Sequence, residues 1–165
     1  GRTGPQEDAV RIWEQLLRQG RRATAVGASD WHREPAPIDA PNVRVRAPAL
    51  DTGAILNRIR AGRVIVMRAA ADPTPAFTVR SGLHSATVGE SLTIAGGPAS
   101  IEIGAPGLRG GRAVVVRNTT RIPVPLDAAG KGRLDGALSP GYIRLETYDA
   151  NGEMVAFTNP VYLVK

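Results

Sequence analysis

The chain has 165 residues, 42% of them hydrophobic but only 4% aromatic, with no cysteine and a net charge of +6. That gives room for one domain, or a small domain plus part of another, built on an aliphatic core. It excludes disulfides, thiolate chemistry and cysteine-ligated zinc, and no apolar run approaches the roughly 20 residues that span a bilayer.

Lys131 and Lys165 are the only lysines, so the positive charge is almost all arginine. It is scattered and lacks the interleaved aromatics of a base-stacking platform, so no nucleic-acid partner is expected. No secretory apolar stretch follows the start, and no membrane partner is expected. The chain opens on Gly1 and not on Met, which reads as a segment of something longer.

Residues 5 to 19 predict a helix. Ala9, Ile12, Trp13, Leu16 and Leu17 fall on one stripe at helical spacing. Pro5 suits the first turn, Glu7 and Asp8 its positive end, Arg18 its negative end, and Gly20 is a natural stop. Ala23 to Ala28 reads as a short buried strand running into "ASDWH" at 28–32. Residues 33–50 carry Pro35, Pro37, Pro41 and Pro48 and predict a loop, with one extended stretch at Val43 to Val45. Asp51 is placed to cap a second helix whose apolar face is Ile55, Leu56 and Ile59 and which Gly62 closes. Arg63 to Met67, rich in β-branched residues, predicts a strand. Helix, strand, loop, helix, strand is the alternation of an α/β fold with parallel strands.

After about residue 70 the texture changes. "AAADPTP" reads as a linker, dividing the chain into 1–70 and 71–165. Beyond it short strands are expected at Ala76 to Arg80, Ser91 to Ile94, Ser100 to Gly104, Arg112 to Asn118, Tyr142 to Tyr148, Met154 to Thr158 and Val161 to Val164. In the fifth of these Ile143 and Leu145 point one way, and Tyr142, Arg144 and Glu146 the other. Asn151-Gly152 signals a hairpin turn, since both residues tolerate positive φ. The spacing suggests a small antiparallel β-sandwich.

Asp30 and His32 are two apart, on one face of an extended chain, at the end of a predicted strand. Open α/β sheets and barrels place their sites there. A carboxylate and an imidazole leaving one face together can hold a divalent ion. Equally, Asp30 can cap a turn and His32 sit on a loop, since a metal site needs three or four ligands. His84 is the only other histidine and reads as a surface-loop residue, while Glu34 and Asp39 fall in the Pro-rich loop. No glycine motif marks a phosphate site, and Ser29 has no base and acid at recognisable positions.

"ASDWH" at 28–32, "ILNRIRAGRVIV" at 55–66, "VGESL" at 88–92 and "FTNPVYLV" at 157–164 occur in that order. Together they resemble the C-terminal end of a PHP-superfamily (polymerase and histidinol phosphatase type) metallohydrolase of the CehA/McbA-like branch. The resemblance covers essentially the whole chain. It implies an α+β fold, a small antiparallel Ig-like β-sandwich preceded by a helix-strand-helix-strand remnant of a PHP (β/α) barrel. It implies that Asp30 and His32 are metal ligands, that the parent protein holds divalent Zn, Mn or Fe, and that its substrate is a small-molecule ester or phosphoester. The family's early H-x-H pair and its further His and Glu ligands have no counterpart in this chain. Ala28 stands where the family has Gly, and Trp31 where it has a small residue; Trp31 either lines the substrate mouth or packs on the loop.

The implied partner is the N-terminal barrel portion of the same protein, and exposed strand edges would also allow a homo-oligomer. Hydrolysis needs a metal-bound water and a Lewis-acidic clamp. Two ligands from one strand fix neither, so the chain alone is expected to hold no metal stably and to be inactive. The competing reading is a non-catalytic sandwich that binds carbohydrate or protein through Tyr142, Tyr148 and Tyr162; burial of the first two would weaken it.

Overall fold

The computed structural model describes residues 5–29, 31–35, 38, 40–94 and 96–165. The fold is α+β, with antiparallel sheets dominant and few helices. Helix α1 (Pro5–Arg18) is followed by β1 (Asn42–Val45), α2 (Thr52–Arg60) and β2 (Val64–Met67). Then come β3 (Ala76–Ser81), β4 (His84–Thr87), β5 (Ser91–Thr93), β6 (Ala99–Gly104) and β7 (Arg112–Arg117). The chain ends with β8 (Thr120–Val124), β9 (Lys131–Gly136), β10 (Gly141–Tyr148), β11 (Met154–Thr158) and β12 (Val161–Val164).

The larger sheet is centred on β10. One of its edges pairs antiparallel with β7, and the other with β12 near its start and β11 near its end. β7 carries β8, β11 carries β2, β2 carries β1, and β12 carries β5 in a parallel pairing. The second sheet runs β4-β3-β6-β9, antiparallel throughout. Alternation along β10 sorts its side chains: Ile143 and Leu145 join Phe77, Val79, Ile101, Ile103 and Val115 between the sheets. Each such burial stabilises by about 1.5–3 kcal/mol. The outer face of the second sheet is polar, with exposed pairs such as Arg80–Glu102 at 3.1 Å that contribute at most about 1 kcal/mol each.

The other face of β10 turns to α1. Trp13 and Leu17 close over Tyr142, and the Trp13 ring lies 5.6 Å from that of Phe157 in β11. Of the helix stripe, Trp13 and Leu17 are the two members buried against the sheet, while Ile12 stays exposed.

Three expectations need correction. The strands flanking α2 are antiparallel: β1 pairs with β2 and β2 with β11, so strands on either side of residue 70 share one sheet. No residue of α2 is buried, so it does not pack as the crossover that parallel strands require. Residues 23–28 are only half-buried or exposed and form no strand. The hairpin turn signalled by Asn151-Gly152 is, by contrast, present as the β10–β11 connection. The Asp149 N–H donates to the Glu153 carbonyl, Gly152 alone takes a positive φ (84°), and Asp149 Oδ1 accepts the Asn151 and Glu153 N–H groups at 3.0 Å. Finally, His84 opens a strand, β4, and is not on a loop.

Candidate functional site

Of the expected ligand pair, Asp30 lies outside the described residues, as does Asp39. His32 is exposed, and Trp31 is 43% exposed on the same stretch. Among the described residues no group of three or more His, Asp or Glu side chains is placed to hold a metal ion. His84 is exposed on the second sheet, away from the strands that adjoin residues 23–29.

What the quoted motifs do build is a joint. Asn159, fully buried between β11 and β12, reaches across to the segment before Ser29. Its Oδ1 accepts the Ala25 N–H at 2.8 Å, while its Nδ2 donates to the Ala25 carbonyl at 2.8 Å and to the Val64 carbonyl at 2.9 Å. One side-chain amide thus supplies the two hydrogen bonds that a neighbouring strand would give Ala25. Ala25 is thereby held without a ladder. Gly27 lies against the sheet, where a Cβ would come within 2.8 Å of Val66 Cγ1 and 3.1 Å of the Asn42 carbonyl.

The turns of "AGR", "VGE" and "NPVY" close the same joint. Gly89 (φ 82°) presses on the Ala61-Gly62 backbone so tightly that a Cβ would meet the Ala61 carbonyl at 2.5 Å. Its N–H donates to the Pro160 carbonyl at 2.8 Å, and the Tyr162 N–H donates to the Glu90 carbonyl at 2.9 Å. Arg63 pairs with Glu90 at 3.0 Å. Segments far apart in sequence therefore meet where β2 and residues 23–29 join the sandwich.

A second constellation lies beneath α1. Arg144 and Glu146 are fully buried, 2.7 Å apart. Arg144 also pairs with Glu14 of α1 and sits 5.3 Å from the Trp13 ring. Glu146 accepts from Arg121 and, at 2.6 Å, from the Tyr148 hydroxyl. Burial pushes the Glu146 carboxyl up, but Arg144, the Tyr148 hydrogen bond and Arg121 together outweigh it and hold the group below the usual carboxylate range. The Tyr148 phenol is pushed up to about 12 by burial and by its bond to Glu146. A carboxylate engaged by two guanidiniums and a phenol under a helix is a poor base and a good lock.

Alternation along the strand sets Tyr142, Arg144 and Glu146 on one face without saying what covers it. The available signal was the Trp13/Leu17 stripe, which requires an apolar or paired surface opposite it.

The tyrosines offer no open aromatic platform. Tyr142 is 2% exposed, Arg112 lies 4.4 Å over the half-buried Tyr148 ring, and Arg22 lies 4.5 Å over that of Tyr162. A groove of about 470 Å³ beside Tyr142 and Tyr162 is lined by Arg18, Arg22, Asn118 and Thr119. No helix among the described residues is long and apolar enough to cross a membrane. Compared with protein-family models, with curated proteins and with solved structures, the chain finds no match in any of the three.

Proposed function

We propose that this chain is the C-terminal portion of a PHP-type metal-dependent hydrolase, a phosphoesterase or related ester hydrolase. In this reading residues up to about 70, whose strands β1 and β2 continue the larger sheet, adjoin a (β/α) barrel supplied by the N-terminal portion, the sandwich buttresses it, and the chain alone is not catalytic. Asp30 and His32 are then two ligands of a divalent Zn, Mn or Fe centre whose other ligands come from the N-terminal barrel portion, with Trp31 at the substrate mouth.

The observation that carries the reading is the uncovered apolar surface of the first third of the chain. α2 has an apolar face, yet buries no residue. Ile12, Val26, Trp31, Ile38, Leu50 (97% exposed) and Leu56 all project into solvent, whereas after residue 70 only Leu83 and Val164 among the described large hydrophobic residues do so. Their concentration in the part of the chain assigned to the barrel contact is what the reading expects, since contiguous exposed apolar surface marks an interaction site.

Two measurements test the proposal. The coding sequence upstream of Gly1 is expected to carry an H-x-H pair and further His and Glu residues within a barrel; an upstream region without them refutes the family reading. Calorimetric titration of the isolated chain with zinc and manganese, with a phosphoesterase assay alongside, is expected to give neither tight binding nor turnover. Sub-micromolar binding together with turnover refutes the assignment of an inactive portion.

A further inference from the structure

We infer that Asn159 is the positioning residue for the segment leading into Trp31 and His32. Residues 21–29 belong to no sheet, yet three contacts fix their course. The Trp13 indole N–H donates to the Ala23 carbonyl at 2.8 Å. The Asn159 amide takes both backbone groups of Ala25. Gly27 lies against Val66 with no room for a Cβ.

Of these, Asn159 alone is anchored in the sandwich core. It follows Thr158, whose Oγ1 accepts the Leu145 N–H of the central strand at 2.9 Å. Its own N–H donates to the Val64 carbonyl at 3.2 Å. The amide's two N–H groups and its carbonyl are all engaged, by Ala25 and Val64. Among side chains of this size only an amide offers that set: aspartate keeps the acceptor and loses both donors, and alanine loses all three contacts. Past Gly27 the chain leaves the sheet, and Ala28, Trp31 and His32 are exposed.

The sandwich therefore sets where the Trp31–His32 stretch emerges. That this stretch is a metal-ligand turn rests on the hydrolase reading; the positioning does not.

The test is amide hydrogen exchange and indole cross-peak positions by NMR on the whole chain. Asn159→Ala is expected to speed exchange at Ala25 by about tenfold or more, the effect of losing one net hydrogen bond. The Val79 and Ile101 amides of the core should keep their rates, and the Trp31 indole peak should shift while that of Trp13 stays. Asn159→Asp, which keeps the acceptor but sets an oxygen against the Ala25 and Val64 carbonyls, is also expected to speed Ala25 exchange and to move the Trp31 peak. Unchanged Ala25 exchange and an unmoved Trp31 peak in folded Asn159→Ala overturn the inference. So does a uniform loss of protection at Ala25, Val79 and Ile101 in both variants, which would make Asn159 a general stability residue. Neither readout involves metal or turnover, so the hydrolase reading can fail while this inference stands, and the reverse.

Discussion

Arg144→Met removes one guanidinium from a place without water. Methionine is also unbranched and fills much of the same space, so the loss is mainly electrostatic. Arg144 is fully buried, as is Glu146 at 2.7 Å. Breaking one side of a buried pair costs about 3–5 kcal/mol. Glu146 keeps Arg121 and the Tyr148 hydroxyl, and the partly exposed Glu14 keeps Arg121 at 3.4 Å, so the cost falls near the lower end, about 3 kcal/mol. At about 2–4 °C per kcal/mol for a chain of this size, Tm falls by roughly 6–12 °C.

The pH dependence separates this from a packing loss. In the native chain Glu146 sits below its ordinary value of 4.5. Its contribution is therefore present above pH 4.5 and lost as pH falls through the lower folded value. Without Arg144, two of the influences that oppose burial are gone and the folded value rises, so the carboxylate form loses stabilisation that the protonated form does not. The variant's deficit should be largest at neutral pH and shrink as the solution is acidified below pH 4.5. Urea unfolding followed by Trp13 fluorescence at both pH values measures it. A deficit below about 1 kcal/mol, the value of an exposed pair, or one that is equal at both pH values, refutes the reasoning.

Two further outcomes are expected. The Tyr148 phenol, pushed up to about 12 from an ordinary 10, contributes fully below pH 10 and loses its contribution as pH rises through about 12. Tyr142 and Tyr162 are also shifted upward. Ultraviolet titration should therefore show no tyrosine at half-ionisation at pH 10 in the folded chain, and three groups titrating there would contradict the burial of this face. Gly89→Ala forces a left-handed alanine into backbone, with a Cβ 2.5 Å from the Ala61 carbonyl, whereas Gly82→Ala (φ 56°) meets nothing within 4 Å. The first should cost roughly 2–4 kcal/mol and the second about 1 kcal/mol; equal thermal shifts would remove the case for a tight joint.

Local pattern carried a good part of this fold. The stripe of α1, the Asp51 cap whose Oδ1 accepts the Ala54 N–H at 2.8 Å, and the alternation of β10 all report a residue's immediate neighbours. The strands that escaped notice, β4, β8 and β9, each lie at the edge of a sheet. Edge strands bury little, so "HSAT", "TRIPV" and "KGRLDG" show no apolar alternation, and Pro123 is tolerated where an inner strand would reject it. The parallel reading of β1 and β2 failed because strand direction depends on what lies between strands, and α2 buries no residue as a crossover would. The joint and the lock escaped for a different reason. Asn159 meets Ala25 across 134 positions, and Glu14 meets Arg144 across 130, and no local window relates such residues.

Those separations bear on how the molecule is made. The strand at the centre of the larger sheet, β10, begins only at Gly141, and the partners of α1 and of residues 23–29 lie at Tyr142, Arg144, Phe157 and Asn159. On a ribosome α1 and residues 23–29 must therefore wait until β10 to Asn159 have emerged before they can meet these partners. Contacts this distant close slowly, and an unsatisfied amphipathic helix is an aggregation hazard meanwhile. Chaperone demand during synthesis, and a low yield from any version shortened before Thr158-Asn159, follow from where β10 and its neighbours fall in the order of translation.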